Sequence, residues 1–149
     1  MNSKAVPHTR PDPDTFDWRS DLIAEFKRAG DNGCVGSILV SETDRVRVWH
    51  LRLAPGERIG FHTHVLDYFW SAHTAGITRS HVDDGSVVQT RYQSGSTRHF
   101  HFGAGERMTH DLTNIGHGDM VFTTVEFLHG ANPALWVPDA VRRPADQAA

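Results

Sequence analysis

The sequence predicts an all-β domain, a sandwich, barrel or jelly roll with one short helix ahead of it. Three observations carry this. Apolar and polar residues alternate with period two through successive short segments. Arg45 to Leu53 is an example, with Trp49, Leu51 and Leu53 on one face and Val46, Val48 and His50 on the other. Turn chemistry separates these segments, as in Ala54-Pro55-Gly56-Glu57 and Asp83-Asp84-Gly85-Ser86. A single stretch, Ser20 to Ala29, instead sets Leu22, Ile23 and Phe26 at helical spacing.

Residues 1–14 are polar and hold three prolines, Pro7, Pro11 and Pro13, which predicts a flexible N-terminal arm. Ser20 is placed to cap the helix and Gly30 to stop it, after which Asp31-Asn32-Gly33 turns the chain. Beyond Arg45–Leu53, strands are expected at Arg58 to His64, Tyr68 to His73, Thr78 to Val82 and Val87 to Tyr92. Arg98 to Phe102, Met108 to Asn114 and Met120 to Leu128 follow. The tail from residue 133 carries Pro138, Pro144 and several alanines and is expected to be an arm or loose end. The β domain is therefore bounded at residues 15–132.

Bulk properties narrow the function. A chain of 149 residues fits one domain with an ordinary soluble composition, 38% hydrophobic and 22% charged. Its formal charge of −3 offers no basic patch, so nucleic acid is a poor partner. No apolar run approaches the roughly 18 residues of a membrane span. Met1 to Pro13 lacks the apolar stretch of a signal peptide. The single cysteine, Cys34, forms no internal disulfide, which suits a reducing cytoplasm, and it is expected to be a partly buried small residue.

The unusual feature is eleven histidines, several of them alternating: His62 with His64, and His99 with His101. Two histidines two apart on a strand point the same way, so both imidazoles can reach one ion. The segment Gly56-Glu57-Arg58-Ile59-Gly60-Phe61-His62-Thr63-His64, with Gly76 beyond it, resembles the first signature of the cupin superfamily. His110 and Asn114, after Gly103-Ala104-Gly105-Glu106, resemble the end of the second, without its usual proline and with a longer spacing back to Gly95. The resemblance spans about Gly56 to Asn114. It implies the cupin double-stranded β-helix, a jelly-roll barrel, with a divalent metal on His62, His64 and His110. It also implies a small-molecule substrate and a homodimer.

One departure bears on the chemistry. Where the cupin pattern has a glutamate ligand, this chain has Tyr68 or Phe69. Three histidines without the carboxylate are similar to the iron-dependent cupin dioxygenases, so the resemblance favours Fe(II), with zinc, nickel or manganese as other occupants. Two carboxylates could fill the gap. Asp67 could turn inward on an irregular strand. Glu126, sharing a face with Phe122 and Thr124, would be a fourth ligand or acid–base group if inward, and a surface charge if outward. Tyr68 could donate a proton beside the metal. Trp70, on the same face, would contact substrate, and Arg107 could grip a substrate carboxylate. Asn114 is expected to make a structural backbone contact. His99 and His101 are expected on an exposed face, His50 and His73 as structural residues, and His81, His117 and His129 in solvent. Two other functions stay open: a non-redox isomerase, lyase or decarboxylase using the ion as a Lewis acid, and a non-catalytic ligand-binding barrel.

Overall fold

The computed structural model describes residues 10–143. Nine strands and one α-helix follow in the order α1 (Ser20–Ala29), β1 (Ile38–Glu42), β2 (Val46–Leu53), β3 (Arg58–His64), β4 (Tyr68–Ala72), β5 (Gly76–His81), β6 (Val87–Tyr92), β7 (Thr97–Phe100), β8 (Met108–Asn114) and β9 (Met120–Phe127). They form two antiparallel sheets, one ordered β1-β2-β9-β4-β7 and the other β3-β8-β5-β6. The all-β double-sheet architecture with a short leading helix is as expected. Strand β1 was not expected: its five residues Ile38-Leu39-Val40-Ser41-Glu42 bury only Leu39. Such a short run, with a register irregularity between Leu39 and Ser41, shows too little alternation to read as a strand.

Burial along β2 and β9 follows the period of two. Arg47, Trp49, Leu51 and Leu53 point inward from β2, and Met120, Phe122, Thr124 and Glu126 from β9. Leu51, Leu53, Ala72, Tyr92, Met120 and Phe122 form the main core, with Ile59, Trp70 and Leu112 packed against it. A second cluster joins Val35, Leu39 and Trp49 to Val137. The segment after Pro133, expected as an arm or loose end, thus lies against the domain through residue 143. Arg142 pairs with Leu39 in a parallel bridge and with Glu42 in an ion pair of 2.8 Å. Residues 144–149, and residues 1–9 of the expected N-terminal arm, lie outside the described residues.

Helix α1 packs on the outer face of β3, the edge strand of the β3-β8-β5-β6 sheet. Arg19 occupies its N-cap without a side-chain bond to the helix backbone, so Ser20 is the first helical residue rather than the cap; Gly30 ends the helix at φ 55°. Leu22, Ile23 and Phe26 face Phe16, Trp18 and Phe61, with Trp18 stacked on Phe61 at 5.7 Å. Strand β3 is therefore buried on both faces from Phe61 to His64.

Beneath the helix lies a charged network that the sequence did not reveal. Asp111, fully buried, accepts from Arg58 Nε at 2.8 Å and from the backbone N–H of His81 at 2.6 Å, with His81 Nδ1 at 3.0 Å. Arg58 also spans to Glu25 of α1 at 2.5 Å. His81, expected in solvent, is held inside because its imidazole is the partner of a buried carboxylate, with Trp18 edge-on at 5.3 Å. Removing one member of a buried ion network leaves the others desolvated and unpaired. Asp111→Ala should therefore cost about 3–5 kcal/mol in urea unfolding; a loss below about 1 kcal/mol would mean that solvent screens these charges.

Candidate metal centre

The centre is made by the register of β3 against β8. Ile59 pairs with Leu112 and His62 with His110, so three residues of β3 span two of β8. This bulge at Gly60 and Phe61 returns both Ile59 and His62 to the inner face. His64 follows two residues later on that face, opposite Met108.

The three imidazoles converge. One ligand atom from each of His62, His64 and His110 lies within 4.8 Å of the other two. Ring centroids are separated by 4.6 Å for His62–His110, 5.1 Å for His64–His110 and 5.2 Å for His62–His64. His62 Nδ1 donates to the carbonyl of Gly60 at 2.8 Å, which selects the tautomer with a free Nε2 lone pair. His64 Nε2 lies 3.2 Å from His110 Nε2. Two nitrogens at that distance, each about 2.1 Å from a common ion, subtend about 100°, within the range of tetrahedral and octahedral coordination.

Burial keeps the imidazoles neutral. It drives His62 from its ordinary value down to about 4 and lowers His64 and His110 well below it, with the neighbouring imidazoles adding to the effect. Neutral imidazole is the ligating form, so at neutral pH an ion has no proton to displace. His64 Nδ1 is buried with no hydrogen-bond partner. Donor type, convergence and protonation state thus all fit a divalent metal.

The histidines line a cavity of about 210 Å³ walled by aromatic and aliphatic side chains, with Ser80, Thr90 and Thr124 as neutral polar groups. Tyr68 and Trp70 both line it. Tyr68 stacks on His64 at 4.0 Å and on Phe100 at 4.5 Å, and burial raises its phenol above the usual range. Trp70 packs edge-on against Tyr92 and Phe122.

The other expected site residues lie elsewhere. Asp67 is at the surface, accepting from the backbone N–H of Phe102 at 2.7 Å and pairing with exposed His101, so it is no inward ligand. Arg107 does not line the cavity, because its guanidinium is held by Asp31. Asn114 donates from Nδ2 to the carbonyls of Leu53 and Gly118, a structural contact as expected. Arg98, not singled out in the sequence, does line the cavity. No motif marks it, and only the fold brings it to the wall.

Glu126 points inward but is neither in the histidine group nor in the cavity wall. Its carboxylate accepts from Trp49 Nε1 at 2.7 Å, which turns it away from the ligand set. Burial pushes Glu126 up to about 7, against the opposing effects of Trp49 and Arg47, while Glu42 adds to the rise. A carboxyl whose folded value exceeds its unfolded value binds its proton more tightly when folded. Its contribution to stability is full below about pH 4.5 and is lost as the pH rises to about 7. Glu126→Gln keeps an acceptor for Trp49 and removes the titration. Between pH 4.5 and pH 8 the variant should gain up to about 3 kcal/mol on wild type in denaturant unfolding. Parallel pH profiles would show that Glu126 ionises as easily folded as unfolded.

No protein-family model matches the sequence, and no curated protein matches it significantly. Solved structures do. A cupin domain from Bordetella pertussis shares 24% identity over 65% of this chain and 95% of its own, with a TM-score of 0.52. A conserved protein with a double-stranded β-helix domain from Klebsiella pneumoniae shares 20% identity over 81% of this chain and 90% of its own, with a TM-score of 0.50. The two sheets, the inward histidines and these likenesses agree: the chain has the cupin fold, a double-stranded β-helix.

Proposed function

We propose that the protein is a metal-dependent enzyme acting on a small polar or carbonyl compound, and most specifically an iron(II) dioxygenase-like oxidoreductase. One observation carries this: the histidine group holds three inward, neutral imidazoles and no carboxylate, and it opens on a cavity lined largely by apolar side chains. His62, His64 and His110 would hold one divalent ion, iron(II) by preference, with zinc, nickel or manganese as other occupants. When bound, the ion supplies Lewis acidity and, as iron, one-electron chemistry with oxygen.

The chain's own residues do the rest. The Gly60 carbonyl fixes the orientation of His62 through the Nδ1 bond. Trp70, Tyr92 and Phe122 exclude water from one side of the cavity. Tyr68, kept protonated by burial, is a hydrogen-bond donor to a substrate oxygen rather than a base. Glu126 has no catalytic part in this reading, since Trp49 holds its carboxylate outside the cavity wall. Trp70 contacts substrate; Arg107, engaged by Asp31, does not.

Among the described residues no helix is long and apolar enough to cross a membrane. We further propose a cytoplasmic homodimer, for which Trp136, 79% exposed, offers apolar surface.

Elemental analysis after reconstitution tests the reading. Wild type should hold about one ion per chain, and His62→Ala and His110→Ala should lose it. The iron-loaded protein should then consume oxygen with at least one member of a carbonyl and thiol panel. Failure to retain any ion would overturn the enzyme reading in favour of a ligand-binding barrel. A retained ion with product formed and no oxygen consumed would assign non-redox Lewis-acid chemistry instead.

A further inference from the structure

With its histidines neutral, the cavity wall carries one charged side chain, the solvent-exposed Arg98 of β7. Its guanidinium lies over the face of Phe100, 4.8 Å from the ring centroid. Phe100 stacks on Tyr68, nearly parallel at 5°, and Tyr68 stacks on His64 at 15°. A continuous column of stacked groups therefore runs from the Arg98 cation to an imidazole of the centre. Arg47, Arg52, Arg58, Arg107 and Arg142 each pair with a carboxylate, whereas among the described residues none pairs with Arg98. Its planar fork of donors is free for an anion and suited to bidentate capture of a carboxylate.

Volume and lining narrow the ligand further. A dry apolar cavity of about 150 Å³ accommodates benzene; about 210 Å³ has room for one ring with a short side chain. The faces and edges of Tyr68, Trp70, Tyr92, Phe100 and Phe122 suit an aromatic ring. We propose that the cavity binds a monocyclic aromatic carboxylic acid, its carboxylate paired with Arg98 at the outer end of the column and its reacting end directed to the three histidines. This deepens the metal-enzyme reading and rests on it for the second half of that statement. Arg98 sets specificity, and nothing in its position makes it a proton carrier.

Calorimetric titration of the full-length chain with phenylacetate and its neutral analogue phenylacetamide tests the assignment, with and without zinc(II). Wild type should prefer the carboxylate by about tenfold or more, the size of one charge-assisted pair. Arg98→Gln should abolish that preference while leaving zinc content and phenylacetamide affinity unchanged. Arg98→Lys should restore part of the preference, and Arg107→Gln should leave it intact. The proposal is overturned if neither probe binds, if wild type shows no preference, or if the preference survives in Arg98→Gln. Survival only with zinc would place the carboxylate on the ion, so the metal reading would stand while the Arg98 assignment failed. A preference lost in Arg98→Gln in protein that never retains zinc would do the reverse.

Discussion

The molecule depends on how β3 is held between two environments. Its inner side chains His62 and His64 join the histidine centre, while on its outer side Phe61 packs against the helix and Arg58 joins the buried ion network. A strand with one buried face already has its register strongly specified. Packing on both faces fixes it doubly here, because a slip would misplace the aromatic contacts of Phe61 together with the imidazoles. The bulge at Gly60 is the geometric cost of meeting both demands. It lets Ile59 join the core and His62 join the centre although they are three residues apart. Arg58, at the start of the bulged stretch, is held by Asp111 from β8 and by Glu25 from the helix, so the local distortion is anchored at its edge.

Buried titrating groups act in opposite directions within this small interior. The imidazoles are disfavoured as cations, so burying them favours the folded state as pH rises through the acid range. Glu126 is disfavoured as an anion and pulls the other way over an overlapping range. The two sets occupy different parts of the barrel, the histidines at the cavity and Glu126 against Trp49. Each is thus governed by local desolvation more than by the other.

Residues whose chemistry is repeated at fixed spacing were legible in the sequence. His62 and His64 announce themselves by alternation, and His110 by its distance to Asn114 and the turn before it. The strand pattern was legible wherever one face is buried and the other is not, as in β2 and β9. Legibility failed where burial comes from both sides or from remote chain. Asp111 sits one residue from His110 and reads as an ordinary exposed acid, because nothing local says that a helix some ninety residues earlier will cover it. The inward face of Glu126 was one of two open alternatives, and only its bond to Trp49 explains why an inward carboxylate stays out of the centre. Arg107 stands out in the sequence by the turn beside it, and Arg98 by nothing. Asp31 takes the first, and the stacking of Phe100 on Tyr68 delivers the second to the cavity.

The position of β9 has a consequence for how the chain is made. This last strand inserts between β2 and β4, pairing residue by residue with both. Until it has emerged from the ribosome, the neighbours on its two sides present bare hydrogen-bonding edges with inward apolar rows beside them. Such edges are templates for pairing with other chains. A nascent or truncated chain ending before Met120 therefore carries two sticky borders, and the arrival of β9 seals both in one step.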